Sequence, residues 1–368
     1  MSRQSELAEL SRVYDSSALS NRNILINGSG QVYQRGSGTI VTSGTVFGVD
    51  RFKFSTANMD NIAGTFTQDS DSPDGFGNSM KATITTAESV IAADEYAYIA
   101  QLVEAQNLQQ LSYGTSAAKQ LTLSFWVKSS ITGTFAVGLY KPDNTAQIHN
   151  LTYTINSAST WEYKTLTFAA NTLSGGAVNN DNGVGFYVNW HLAAGGDYKG
   201  GGSTSGWSSY ANNKWADGQA TDAVITTTSA TFQLTGCQLE VGDSATPFEH
   251  RTFSDELTRC QRYYNRSYPY GTATAAADNN TPIHHMSRGG SYNIIGQFFH
   301  PRDMRAAPTV VLYNPNNGTV NQLKGDGSSF ANAAVLKNTA KGACMFVNAT
   351  SITETVFLSV HATFDAEL

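Results

Sequence analysis

The sequence predicts a mainly β protein whose antiparallel sheets pack face to face. Segment 121–129, LTLSFWVKS, alternates apolar and polar residues with a period of two, as a half-buried strand does. Further segments between residues 134 and 241 repeat this pattern, and turn-forming clusters such as KPDN and NNDNG separate them. Almost no helical pattern lies between these segments, which favours a β-sandwich over a parallel βαβ fold.

Domain boundaries follow from where the strand pattern stops and resumes. A length of 368 residues is enough for two or three domains. Residues 23–250 are predicted to form the first sandwich, in which YAYIAQLVE is a strand followed by a turn over 104–111. Residues 251–270 are predicted to form a connecting α-helix, and 271–368 a second, smaller sandwich.

Residues 1–22 are predicted to form a short N-terminal helix or arm. Its apolar residues recur every three or four positions: Leu7, Leu10, Val13 and Tyr14. So short an amphipathic helix is only marginally stable alone, so we expect it to bind a partner surface.

The segment TFSDELTRCQRYYNR, 252–266, has the clearest helical pattern in the chain. One predicted stripe is apolar: Phe253, Leu257, Cys260 and Tyr264. The opposite stripe is charged: Asp255, Arg259, Arg262 and Arg266. Thr252 or Ser254 can cap the first turn, and the charge order suits the helix dipole. We expect the charged stripe to bridge domains or subunits.

Composition excludes several classes of function. The net charge is −6 and there is no basic run, so nucleic acid is not an expected partner. The three cysteines form no CxxC pair, which predicts neither a zinc site nor a disulfide framework. No segment is apolar enough for a signal peptide or a membrane span, so we expect folding in a cytoplasm and no membrane insertion.

No enzyme motif is present, and we expect a protein that is not an enzyme and has no cofactor. Glu104 and Glu240 lie among apolar neighbours and could form a glycosidase pair, but acids at strand ends more often accept structural hydrogen bonds. The loop DSDSPDG could hold Ca²⁺ through its aspartates, but these are also ordinary turn formers. No metal site is therefore predicted.

The glycine-rich loop over residues 195–218 is the best candidate for a binding surface. Four aromatic residues lie on it: Tyr198, Trp207, Tyr210 and Trp215. Sugar rings have apolar C–H faces that stack on such side chains, so the loop predicts a carbohydrate contact. The alternative is that the rings cover a sheet edge, as large amphipathic side chains commonly do. Trp215 fits this packing role better than the others because polar residues flank it.

Three segments resemble a known family. The block QLEVGDSATPFEHRTFSDELTRCQRYY, 238–264, is similar to one in tailed-phage tail fibre and structural proteins. There, a β-rich domain ends in a QLE-G-ATPFE-R segment that is followed by an E-L-CQRYY helix. The segment ALSNRNILINGSGQVYQRG, 18–36, and the segment VDRFKF, 49–54, resemble the opening of the same proteins.

The resemblance implies a jelly-roll first domain, similar to carbohydrate-binding modules, in a homotrimeric tail fibre or spike-like appendage. Residues 1–22 would then anchor the chain to other virion proteins, and the distal domain would contact a host surface glycan or receptor. The protein would be assembled in the host cytoplasm and reside on the virion. Two alternatives stay open: a capsid decoration or head fibre protein without sugar binding, and a polysaccharide-binding or depolymerising protein.

Overall fold

The computed structural model describes residues 21–273, 275–278, 283–286, 296–325, 328–331, 333–348 and 357–368. These residues divide into two compact units. The first contains residues 21–31 and Ser37–Arg251 together with Leu368, and the second contains Val32–Gly36 and Thr252–Glu367. The predicted N-terminal helix, with Leu7, Leu10, Val13 and Tyr14, lies outside the described residues. In the described part of the chain, no helix is long and apolar enough to cross a membrane.

The first unit consists of two antiparallel sheets. The six-stranded sheet has the order β1 (Gly38–Ile40), β4 (Ala63–Asp69), β5 (Ser79–Thr86), β13 (Thr231–Val241), β7 (Leu121–Ser129) and β10 (Glu162–Phe168). The seven-stranded sheet has the order β12 (Ser208–Ser209), β9 (Gln147–Ile155), β8 (Gly133–Lys141), β11 (Val184–Ala194), β6 (Tyr96–Glu104), β3 (Lys53–Ala57) and β2 (Gly44–Phe47).

Aromatic side chains from both sheets meet in the core between them. The ring of Phe125 on β7 lies 5.8 Å from that of Trp190 on β11, and both side chains are fully buried. Phe54 on β3 and Phe66 on β4 form a second contact across the core, with ring centroids 6.1 Å apart. The predicted fold class, a mainly β protein with an antiparallel sandwich, is confirmed.

The strand periodicity located several elements well. Strand β7 has the predicted bounds, β13 ends at residue 241 as the last of the predicted segments does, and β6 is followed by a 3-10 helix, Ala105–Leu111, where a turn was expected. The alternation on β7 is weaker than predicted, because Thr122 and Ser124 are buried as well. The hydroxyl of Thr122 donates to the carbonyl of Gly242 at 2.9 Å, so a turn after β13 covers this part of the sheet.

The second unit begins with the helix α1 (Phe253–Gln261). Its strands are β14 (Tyr264–Arg266), β15 (Ile283–Met286), β16 (Gly296–Phe299), β17 (Thr309–Tyr313), β18 (Gln322–Gly325), β19 (Ser328–Ala331), β20 (Ala333–Asn338), β21 (Ala343–Asn348) and β22 (Phe357–Asp365). Strand β22 is central, because β14, β15, β17 and β18 all pair with it. Buried Leu312, Val360 and Phe364 belong to the apolar core of this unit.

The helix is shorter than the sequence predicts, and it belongs to the second unit. Thr252 caps it as expected, accepting from the Asp255 N–H at 3.3 Å. The helix ends at Gln261, with Asp255 and Arg259 on it and Arg262 as its C-cap residue.

The prediction that Tyr264 and Arg266 continue the helical stripes was wrong. Both lie on β14, where they pair with Asp365 and Thr363, because the ladder with β22 overrides local helical preference. The buried guanidinium of Arg266 donates to the carbonyls of Pro269 and Thr272 and closes a turn. Phe253, predicted on the buried stripe, is 42% exposed.

Replacing Phe125 by alanine tests the contact between the sheets. We expect Phe125→Ala to lower the free energy of unfolding by about 3–5 kcal/mol, because it leaves a cavity beside Trp190. Urea unfolding of the full chain, followed by tryptophan fluorescence, measures the change. Thr165→Ala, at an exposed position of β10, is the control and should change stability by at most about 0.5 kcal/mol. A loss below about 1 kcal/mol for Phe125→Ala would contradict the cross-core packing.

Candidate functional site

A cluster of aromatic side chains lies on the seven-stranded sheet, on the face turned away from the core. We call it the tyrosine face. Its members are Tyr96, Tyr98, Tyr140, Tyr187, Tyr198, Tyr210 and Trp215. Tyr98 and Trp215 are buried, and the other rings are partly exposed.

Strand register brings the sheet members together. Tyr96 and Tyr98 are two positions apart on β6 and therefore point to the same face. Tyr187 on β11 is directly opposite Tyr140 on β8, and their ring centroids are 5.4 Å apart. The ammonium group of Lys53 on β3 lies 5.3 Å from the Tyr187 ring, a cation–π distance.

The glycine-rich loop supplies the other three members. Trp215 is only 8% exposed and lies among the sheet tyrosines, with its ring 5.4 Å from that of Tyr140 and 5.6 Å from that of Tyr98. Tyr198 packs edge-on against Tyr96 at 4.8 Å, and Tyr210 lies 4.9 Å from Tyr140. Burial of Trp215 agrees with the packing role expected for it.

Hydrogen bonds fix this loop on the sheet. The buried carboxylate of Asp217 accepts from the backbone N–H groups of Gly200 at 2.9 Å and Ser203 at 2.6 Å. The Asn150 side chain on β9 donates to the Ser203 hydroxyl and to the Lys214 carbonyl, both at 2.6 Å. Within the loop, β12 adds an edge strand to β9. The rings of the loop are therefore held in place before any ligand arrives.

Trp207, the fourth predicted binding residue, is not part of this cluster. Its ring packs against Tyr113, Phe186 and His149, and its indole N–H donates to the Ala169 carbonyl at 2.7 Å. Phe186 is next to Tyr187 on β11, and His149 on β9 is opposite Leu139, the neighbour of Tyr140, so Trp207 covers side chains on the core-facing side of the sheet instead. The structure thus brings together three of the four predicted residues.

The hydroxyl groups of the face are neutral at physiological pH. Burial raises the pKa of Tyr210 to about 12, with smaller contributions from neighbouring tyrosines. Burial also raises the pKa of Tyr140 and of Tyr187. Each phenol therefore stays protonated and can both donate and accept a hydrogen bond beside an apolar ring.

Polar side chains lie beneath the rings. Asn189 is fully buried on β11, and neither atom of its amide has a partner among the described residues. His191, two positions further on, contacts Trp215 at a ring distance of 5.9 Å. Burial lowers the pKa of His191 to about 3. The imidazole is therefore neutral in the folded protein.

The other candidates from the sequence have structural contacts. Asp69 pairs with Lys81 at 2.9 Å and Asp71 with Lys128 at 2.7 Å, while Asp74 is exposed. Glu240 on β13 accepts from the Thr246 hydroxyl and backbone N–H. Glu104 accepts from Gln106 at 2.5 Å and lies on the other sheet, at the end of β6.

A cluster of three acidic residues was not predicted from the sequence as a candidate site. Carboxylate oxygens of Asp60, Glu88 and Glu95 lie within 4.8 Å of one another. Burial raises the pKa of Glu95, and the nearby Glu88 and Asp60 carboxylates raise it further. Carboxylate oxygens are the ligands that Ca²⁺ prefers, so among the described residues these three could hold such an ion.

The sheet members of the tyrosine face were not among the residues predicted from the sequence. The signal was present in YAYIAQLVE, where two tyrosines occupy the positions of a strand that alternate with its core residues. Tyr140 and Tyr187 likewise occupy the non-core positions of β8 and β11. What the sequence could not provide was the order of β8, β11 and β6 in the sheet, which brings these positions side by side.

No protein-family model and no curated protein matches the chain. Among solved structures, the enzymatically active domain of tailspike protein 4 from bacteriophage CBA120 is similar over 60% of this chain and 21% of that one, with 15% identity and a TM-score of 0.33. The present chain thus spans about a fifth of that tailspike chain.

Two similar structures are carbohydrate-binding modules. A family 11 module from Clostridium thermocellum, solved with a β-1,3-1,4-mixed-linked tetrasaccharide, matches 58% of this chain and 99% of its own, with 13% identity and a TM-score of 0.27. A tandem pair of family 22 modules from Paenibacillus barcinonensis matches 96% of this chain and all of its own, with 10% identity and a TM-score of 0.29. All three TM-scores are below 0.5.

Two buried histidines should make the first unit sensitive to mild acid. Burial lowers the pKa of His149 to about 4 and that of His191 to about 3, whereas an unfolded histidine titrates near ~6.5. Between these values the unfolded chain binds protons that the folded chain does not. Stability should therefore fall as the pH drops from ~6.5 towards ~4, by about 1.4 kcal/mol per pH unit for each histidine.

Urea unfolding between pH 7 and pH 4.5 (roughly the histidine window) measures this dependence. His149→Gln should reduce the slope by about half, because one of the two titrating groups is removed. Glu162→Gln is the matched control: burial opposes ionisation of Glu162, but hydrogen bonds led by that from Lys164 lower its pKa from 4.5 to about 2, so its contribution to stability is lost below this pH window. An unchanged slope in His149→Gln would show that His149 is accessible to protons in the folded state.

Proposed function

We propose that the first unit binds a saccharide on the tyrosine face. The observation that carries this proposal is the arrangement of partly exposed tyrosine rings around buried Trp215. Sugar rings present apolar C–H faces, which stack on aromatic rings, and hydroxyl groups, which bond to phenols. Small-molecule sites combine such apolar walls with a few fixed polar groups.

Rigidity supports the same proposal. Trp215 holds the rings of Tyr98 and Tyr140, and Asp217 holds the loop backbone, so little ordering is required when a ligand binds. The ammonium group of Lys53 lies over the Tyr187 ring and places a positive charge beside it. A polar ligand with several hydroxyl groups suits this combination better than an apolar one.

We further propose that the protein is a homotrimeric phage appendage, a tail fibre or spike, that attaches the particle to a host surface glycan. What supports this is the resemblance of segments 18–36, 49–54 and 238–264 to tailed-phage virion proteins. In this proposal residues 1–22 dock onto other virion proteins. The alternative is a decoration or head fibre protein without sugar affinity. Measuring saccharide binding distinguishes the two.

We propose binding without hydrolysis. Glycoside hydrolysis requires two carboxyl groups on either side of one bond. The Glu240 carboxylate already accepts hydrogen bonds from Thr246 and Gln238, and Glu104 lies on the other sheet. These contacts favour structural roles for both acids.

The tyrosine face can be tested by side-chain truncation. We expect Tyr187→Ala and Tyr140→Ala each to weaken saccharide binding at least about tenfold, because each removes a stacking ring. Tyr187→Phe should lose less, since the ring remains. Binding is measured on an array of host cell-surface polysaccharides, with the best hit titrated by calorimetry. A reducing-end assay on the same hit detects any hydrolysis.

Tyr270→Ala is the matched control, because Tyr270 is 45% exposed and lies in the second unit. It should bind as the unaltered chain does. If Tyr187→Ala and Tyr140→Ala fold and also bind as before, the tyrosine face is not the site. Reducing ends released over time would contradict binding without hydrolysis.

The proposed anchor can be tested separately. Deletion of residues 1–20 should abolish incorporation into phage particles while leaving a folded trimer, because the predicted docking helix is removed. Immunoblotting of purified particles measures incorporation, and analytical ultracentrifugation measures the trimer. Full incorporation of the truncated chain would show that the anchor lies elsewhere.

A further inference from the structure

A groove lies on the six-stranded sheet, on the face turned away from the core and hence opposite to the tyrosine face. Its volume is about 430 Å³. This is within the range of about 300–1,000 Å³ that is common for small-molecule sites. Aromatic rings dominate its lining: Phe76, Trp126, Tyr163, Phe248 and His250.

A β-bulge forms the floor of the groove. The register between β13 and β7 shifts between Thr235 and Gln238, and Gly236 within this shift has φ 60°. A Cβ atom at Gly236 would lie 2.7 Å from the Phe76 ring and 3.2 Å from the Trp126 ring. Glycine is therefore required both by the backbone conformation and by the close approach of the two rings.

One wall is the loop over residues 70–78. Asp71 fixes it to the sheet, accepting from Lys128 at 2.7 Å and from the indole N–H of Trp161 at 3.2 Å. The Ser72 hydroxyl donates to the Phe76 carbonyl at 2.6 Å and closes the turn. These bonds place the Phe76 ring and the Asp74 carboxylate at the groove.

The adjoining wall is the turn over residues 242–250. Glu240 accepts from the Thr246 N–H at 2.8 Å, and the side-chain oxygen of Gln238 accepts from the Glu249 N–H at 2.8 Å. The turn is thus tied to β13 at two points. It presents Phe248 and His250, whose rings lie 5.1 Å and 5.3 Å from that of Phe76.

The groove side chains differ from these anchors in their hydrogen bonding. Among the described residues, five side chains that line the groove make no hydrogen bond with another protein group: Asp74, Ser124, Trp126, Tyr163 and His250. Ser124 is only 2% exposed and lines the groove, so the small accessible part of this residue faces the groove. Tyr163, in contrast, is 46% exposed and its ring lies 5.3 Å from that of Trp126.

We propose that this groove is a second saccharide site, specific for neutral sugars. Fixed aromatic faces surrounded by free donors and acceptors match a ring with apolar C–H faces and peripheral hydroxyl groups. A sugar stacks on Trp126 and Tyr163, and the Asp74 carboxylate accepts from its hydroxyl groups. No Lys or Arg lines the groove and Asp74 is acidic, so a carboxylated or sulfated sugar is disfavoured. This inference extends the proposed glycan binding to a second site, and the groove can be disproved while the tyrosine face remains the binding site.

Calorimetric titration of the full chain tests the proposal. The probes are cellotetraose, maltotetraose, chitotetraose and a β-1,3-1,4-linked glucotetraose, with tetragalacturonate as the acidic counterpart. Tyr163→Ala and Asp74→Ala should each raise the dissociation constant of a bound neutral probe by about tenfold or more. Tyr270→Ala, at an exposed position of the second unit, is the matched control and should leave this dissociation constant unchanged, while Tyr187→Ala reports on binding at the tyrosine face. Circular dichroism and thermal melting confirm that each variant folds.

The outcomes separate the two sites. Loss of binding in Tyr163→Ala and Asp74→Ala, with Tyr187→Ala unaffected, supports the groove. Loss in Tyr187→Ala alone overturns the groove and leaves the tyrosine face in place. Two sites per chain, each lost in its own variant, support both. Failure of every neutral probe to bind at millimolar concentration, or tighter binding of tetragalacturonate, overturns the inference.

Discussion

Burial of aromatic side chains between the two sheets is the constraint on which the rest of the first unit depends. Each strand has two faces, so once Phe125 and Trp190 meet in the core, their neighbours must point outward. Trp126 follows Phe125 and lies in the groove, while Asn189 and His191 flank Trp190 and lie under the tyrosine face. A one-residue slip of either strand would exchange core and site residues.

The outer faces of the two sheets differ in how loops cover them. On the seven-stranded sheet, a loop returns over the sheet and places Trp215 among the tyrosines, so the centre of that face is closed. On the six-stranded sheet, the loops over residues 70–78 and 242–250 pack against each other through Phe76, Phe248 and His250, and the groove they line with Trp126 and Tyr163 stays open. The rings therefore form a platform of partly exposed tyrosines around a buried tryptophan on one side, and they line an open groove on the other.

The fold was predictable because its signals are local. Period-two alternation located β7 and β13, and the capping residue Thr252 located the start of α1. The end of that helix was not predictable, because Tyr264 and Arg266 pair with β22, about a hundred residues further along the chain. The site was predictable only in part for the same reason: the loop rings are adjacent in sequence, whereas Tyr96, Tyr140 and Tyr187 come together through sheet order.

The segment QLEVGDSATPFEHR shows how one stretch of sequence can carry two physical roles. Its polar residues turn inward: Glu240 bonds to Thr246, Gln238 to Glu249, and Arg251 to Glu249 and the Asn23 carbonyl. Because these hydrogen bonds hold the turn through its polar side chains, Phe248 and His250 are left to line the groove. The acids Glu240 and Glu249 thus hold the turn in place, and the aromatic residues Phe248 and His250 form the surface that a ligand can reach.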